Sequence, residues 1–113
     1  MDVTIIAVDP DAPKITLNSP VDGNTFKIGD KMLIKATIDT TEEIAGIEYE
    51  LHGNEEYSVE NDLLNGQKGH IDYSSEMTIS TEMIPGTYHF HFTVKTVSGK
   101  ETTAEAEDIT ITK

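Results

Sequence analysis

In the stretch Pro85-Gly-Thr-Tyr-His-Phe-His-Phe-Thr-Val-Lys-Thr-Val97, the residues Tyr88, Phe90, Phe92 and Val94 fall two apart. Side chains of a strand alternate between its faces, so this spacing builds one continuous apolar face. The intervening His89, His91, Thr93 and Lys95 build a polar one. A helix would scatter the same apolar residues around its circumference. The stretch is therefore a half-buried strand, and so apolar a face demands a second layer to cover it.

The rest of the chain repeats the pattern in short pieces. Ile15 and Leu17 alternate in Lys14–Leu17, and Phe26 and Ile28 follow the turn cluster Asn18–Thr25. Met32, Ile34, Ala36 and Ile38 alternate in the next segment, and Ile47, Tyr49 and Leu51 alternate in Ile44–His52. The alternation resumes through Ile71 and Tyr73, then Met77 and Ile79, with Ser74-Ser75 read as an irregularity or bulge. Val97-Ser-Gly-Lys-Glu101 is a hairpin turn in which Gly99 supplies positive φ. The last strand carries Thr102, Ala104 and Ala106 inward and changes phase to Ile109 and Ile111, which implies a bulge near Glu107-Asp108. Residues 53–69 are the least periodic part and read as a variable loop with room for one short edge strand or a helical turn. Seven to eight short antiparallel strands, regularly spaced turn signals and no helix of useful length predict an all-β sandwich. Residues 1–11, broken at Asp9-Pro-Asp11, form an N-terminal strand or inter-domain linker, and 12–113 form the domain.

Composition narrows the function classes. A chain of 113 residues makes one domain. Its formal net charge of −13 argues against nucleic acid and against an anionic membrane surface, and it suits a cation or a basic partner. With no cysteine, disulfides, thiolate zinc sites and thiol nucleophiles are excluded. No window approaches the ~18 apolar residues of a membrane span. Met1 is followed at once by Asp2 with no basic region, so the protein is cytoplasmic or has lost an export signal. The serines lack a nucleophile-elbow context, and Gly-rich phosphate loops are absent. The expectation is a non-enzymatic domain. A carbohydrate-active role would require an exposed aromatic platform, for which Tyr57 and Tyr73 are the candidates.

Ala12-Pro-Lys-Ile-Thr-Leu-Asn-Ser-Pro-Val-Asp-Gly-Asn-Thr-Phe26 with Ile28-Gly-Asp30 resembles the start of bacterial immunoglobulin-like repeats. Pro85-Gly-Thr-Tyr-His-Phe90 and Val97-Ser-Gly-Lys-Glu101 resemble their last hairpin. The resemblance spans residues 12–112 and implies an immunoglobulin-like β-sandwich. Glu48-Tyr-Glu-Leu-His-Gly53 and Tyr88-His-Phe-His-Phe92 are similar to stretches of an uncharacterised immunoglobulin-like lipoprotein family of Bacteroidetes. That family's compact His-rich segment is spread here from His52 to His70. The resemblance implies an extracytoplasmic, lipid-anchored protein, and so favours the lost export signal. It supplies no substrate.

Two hypotheses follow. The first is a binding, adhesion or spacer module, monomeric, with protein or glycan contacts through the 53–69 segment, because loops on a rigid sandwich carry recognition. The second is capture of zinc or copper. If the strand ending in His52 and the strand beginning at Thr87 are antiparallel neighbours, His52 meets His89 and Glu50 meets His91 on the outer face. The final hairpin then brings Glu105 and Glu107 alongside. The candidate ligands are His52, His89, His91, Glu50 and Glu107, because zinc and copper accept imidazole and carboxylate donors. The alternative for these residues is a solvated polar face, and for His70 a strand-edge position. Asp9, Asp11, Asp22 and Asp30 raise a calcium site between tandem domains, against the commoner role of Asp in turns.

Overall fold

The computed structural model describes residues 12–53, 56–61, 64 and 66–113. The expected N-terminal strand or linker at 1–11, with Asp9 and Asp11, lies outside them. The described residues contain eight strands and no helix: β1 (Lys14–Ser19), β2 (Thr25–Lys27), β3 (Lys31–Thr40), β4 (Ile44–His52), β5 (Glu56–Asn61), β6 (Gly69–Thr78), β7 (Gly86–Thr96) and β8 (Glu101–Thr112). They form a three-stranded sheet, β1-β3-β6, and a five-stranded sheet, β2-β8-β7-β4-β5. This is the expected immunoglobulin-like sandwich. The strand of the Tyr-His-Phe-His-Phe run, β7, is the middle strand of the larger sheet.

One pairing departs from the all-antiparallel expectation. β2 runs parallel to β8, Thr25 opposite Thr110 and Lys27 opposite Thr112. The chain leaves the small sheet at the Ser19–Pro20 turn and continues along the edge of the large one. Proline cannot extend the β1 ladder, and Asn24, accepting from the Val21 amide, closes the turn that re-aims the strand.

The core is where the two inner faces meet. Met32, Ile34, Ala36 and Ile38 of β3 face Ile47, Tyr49 and Leu51 of β4 and Tyr88, Phe90, Phe92 and Val94 of β7, all buried. The sequence has neither Cys nor Trp, so no disulfide with a packed Trp links the sheets. An aromatic trio fills that space: the Phe92 ring lies 6.4 Å from Tyr49 and 5.4 Å from Tyr73 of the opposite sheet. Tyr88, at the start of β7, donates its hydroxyl to the Ile84 carbonyl four residues upstream, as a tyrosine corner does.

The expected bulge in the last strand is present. Tyr88 pairs with Ile109 but Phe90 pairs with Ala106, and Asp108 takes φ 56° to absorb the extra residue. Gly99 adopts φ 92° in the β7–β8 hairpin. The bulge expected at Ser74-Ser75 is not there, because β6 pairs with β3 without a register shift from Gly69 to Thr78. Ser75 simply occupies an inward position, and its hydroxyl lies 3.4 Å from the Tyr49 hydroxyl. A polar residue can hold a core position when a polar tip from the facing sheet meets it. Residues 53–69, read as a loop, contain β5, paired with β4 from Ile47–Asn61 to His52–Glu56.

The ends of the described chain lie at opposite poles. Lys14 pairs with Asp39 beside the β3–β4 turn. Thr112 accepts a hydrogen bond from the Ile28 amide, in the turn tied to Ile79 at the other end of β3. The nine steps of β3 from Lys31 to Thr40 separate these poles by about 30 Å.

Candidate functional site on the outer face of the large sheet

Because the inner positions of β4 and β7 are fixed by the core, the alternate positions face outward in fixed register. His52 lies opposite His89 and Glu50 opposite His91, as expected from sequence. β8 adds Glu105 opposite His91, and β5 adds Glu56 opposite His52.

The side chains form a line across four strands. His52 Nδ1 lies 2.9 Å from Glu56 Oε1. His91 Nδ1 lies 3.4 Å from Glu50 Oε1, and its Nε2 lies 3.5 Å from Glu105 Oε1. The His52 and His91 rings stack at 6.3 Å with 21° between their planes. Carboxylate and imidazole thus alternate as Glu56, His52, Glu50, His91, Glu105. The centre of the line is the less exposed part: the Glu50 and His91 side chains retain 27% and 28% of their surface, against 48% and 61% for His52 and Glu56.

Three of these residues converge. One donor atom from each of Glu50, His52 and Glu56 lies within 4.8 Å of the other two, and no other His, Asp or Glu trio among the described residues does so. Of the five residues expected from sequence, the structure joins Glu50, His52 and His91. His89 is exposed and opposite His52. Glu107 is exposed beside the bulge, where the ladder breaks between Ala106 and Ile109 and its amide donates to the Asp22 carboxylate at 2.8 Å. Among the described residues no ion pair joins His89 or Glu107 to the cluster. Glu56 was missed because it lies in the segment read as a loop. The signal that finds it is the period-two spacing of Tyr57 and Val59, which puts Glu56 and Ser58 on the opposite face of a strand.

The other expected positions are placed elsewhere. Asp22 and Asp30 sit in separate turns, each accepting from a backbone amide, that of Glu107 and of Lys27 respectively. Tyr73 is buried against Phe92, and the Tyr57 hydroxyl accepts from the Ile84 amide, so neither forms an exposed aromatic platform.

His70 lies at the opposite pole on the small sheet, paired in register with Asp39. Its Nδ1 is 2.8 Å from Asp39 Oδ1, and its Nε2 is 3.6 Å from Asp72 Oδ1. The hydrogen bond to Asp39, the charge of Asp39 and the charge of Asp72 raise the His70 pKa above its ordinary value of 6.5. A raised folded-state pKa stabilises the protein fully below the unfolded value, and this contribution is lost as pH rises through the folded value. A proton NMR titration is expected to give His70 a midpoint above 6.5 that falls back toward 6.5 in Asp39→Asn. An unmoved midpoint in that variant would remove Asp39 as the cause.

No protein-family model and no curated protein matches the chain. Among solved structures it is similar to the fibronectin(III)-like modules of Clostridium thermocellum CbhA, with a TM-score of 0.61 and 17% identity, covering 88% of this chain and 96% of that one. No match supports the narrower resemblance to the Bacteroidetes lipoprotein family. What the likeness shows is the fold: this chain has the two-sheet architecture of a fibronectin III-like module, the immunoglobulin-like sandwich read from its strand spacing.

Proposed function

We propose that this domain is a non-enzymatic module of an exported bacterial protein, acting as a spacer that also offers a binding surface. The observation that carries the reading is the polarity of the chain path. Lys14 enters at one pole and Thr112 leaves at the other, so copies or neighbours joined end to end extend in line. A neighbour of the same fold is itself described as a module. Extracytoplasmic placement and lipid anchoring rest on the sequence resemblance. No helix among the described residues is long and apolar enough to cross a membrane.

A protein or glycan partner would meet the 53–69 segment, which contains the edge strand β5. An edge strand keeps one row of backbone donors and acceptors free for pairing. Small-angle scattering on two copies joined in tandem tests the spacer reading. The largest dimension should grow by on the order of the 54 Å long axis of one domain. A largest dimension that stays near that of one domain while the cross-section widens would mean side-by-side packing and would overturn it.

A further inference from the structure

We propose that Glu50, His52 and Glu56 form a binding site for a zinc-class divalent cation, tying the edge strand β5 to β4. The proposal is independent of the spacer reading. It rests first on geometry: donor atoms from the three residues already lie within 4.8 Å of one another. Ligands of a tetrahedral zinc at ~2.1 Å are about 3.4 Å apart, so small rotations about side-chain bonds close the set. Those rotations are cheap at His52 and Glu56, which are exposed, and the backbone beneath them is held by the β4–β5 ladder.

The second support is the setting of Glu50. It is the least exposed of the three donors and is flanked by His91, whose Nδ1 is 3.4 Å away. His91 is in turn placed by Glu105 on its other ring nitrogen. A charged or polar group close behind a ligand is the arrangement that orients metal-binding groups, and here the contacts are ion pairs at 3.4 and 3.5 Å. His91 is therefore a positioning residue, and it stacks on His52 as well. A third support is charge. Glu50, Glu56 and Glu105 lie along this line in a chain with net charge −13, and a divalent cation relieves that repulsion. The imidazole donor sets the class: carboxylates alone favour calcium or magnesium, whereas mixed nitrogen and oxygen donors favour zinc, nickel or copper. With three protein donors, water completes the coordination.

The test is calorimetric titration of the whole chain with zinc chloride. Wild type is expected to bind one zinc per chain with a micromolar dissociation constant. His52→Ala and Glu56→Gln are expected to weaken it by more than tenfold each, and His91→Ala by about tenfold through the loss of its hold on Glu50. His70→Ala, at the other pole, should leave it unchanged. In NMR the His52 and His91 ring signals should move on adding zinc, and those of His70 should not. His52, Glu56 and His70 are exposed and His91 is half-buried with its ring on the outer face, so none of these substitutions opens the core. Millimolar binding in the wild type, or equal loss in His70→Ala and His52→Ala, would overturn the site. Calcium binding as tight as zinc would overturn the role of the imidazole.

Discussion

Replacing Phe92 by alanine is expected to cost about 3–5 kcal/mol of folding stability, the range for truncating a large buried aromatic. Phe92 is fully buried at the middle of the central strand. Its ring contacts aromatic neighbours from both layers, Tyr49 of its own sheet and Tyr73 of the other. Strands on either side are pinned by their ladders, so the cavity left by the ring cannot collapse without shifting a sheet. A domain's whole stability is about 5–15 kcal/mol, so the alanine variant sits near the limit of folding. Phe92→Leu is the companion, with a smaller loss because it keeps most of the volume. Urea denaturation would read both as lowered midpoints with unchanged slope. Leu33→Ala on the same measurement should stay within about 0.5 kcal/mol, because Leu33 is exposed. A Phe92→Ala loss no larger than that of Leu33→Ala would show that the inter-sheet trio does not hold the layers together.

The same residue explains why the fold was legible. Tyr88, Phe90, Phe92 and Val94 alternate without interruption, and a period-two pattern fixes both strand type and inward face. Register followed from the same parity: once Leu51 and Phe90 both face inward, His52 and His89 must share the outer face. Even the phase change from Ala106 to Ile109 located the bulge at Asp108. Parity failed where a polar residue sits inside. Ser75 looked like a break because its partner, the Tyr49 hydroxyl, comes from the facing sheet and is invisible along the chain. The parallel pairing of β2 was equally hidden, since three residues at an edge carry no directional signal.

The candidate site was half legible for the same reason. Glu50, His52 and His91 lie on long, strongly patterned strands, so their neighbourhood followed from register. Glu107 did not follow, because it sits beside the Asp108 bulge, where the ladder to β7 is interrupted and Asp22 accepts from its amide. Glu56 was lost because β5 is short and its alternation rests on two residues, Tyr57 and Val59. A line of alternating Glu and His drawn from four strands is a property of the sheet, and no single segment contains it.

Gly53→Ala is expected to cost about 1–3 kcal/mol, the range for forcing extra volume into a filled site. Gly53 follows His52 at the end of β4, against the start of β7. A Cβ there would stand 2.8 Å from Tyr88 Cδ2 and 2.9 Å from the Thr87 carbonyl oxygen, closer than side-chain carbons come to such atoms. Neither neighbour can easily retreat. The Tyr88 ring is buried, packs 6.0 Å from Tyr57, and is tethered through its hydroxyl to the Ile84 carbonyl. The Thr87 oxygen is backbone in the β7–β8 ladder. The strain must therefore move the end of β4, which carries His52. Two readouts separate this account from a general loss of packing. Thermal or urea unfolding should show the loss in Gly53→Ala, and Tyr88→Leu in the same chain should recover only part of it, because the Thr87 carbonyl remains in the way. The two substitutions should be non-additive, as changes at touching residues are. Strict additivity would mean that Gly53 and Tyr88 do not press on each other. A displaced His52 also weakens zinc binding in Gly53→Ala, whereas a remote core change of equal cost, Met32→Ala, leaves it intact in the folded protein. If both variants bound zinc alike, the strain would be absorbed beyond Gly53 and the end of β4 would be free of it.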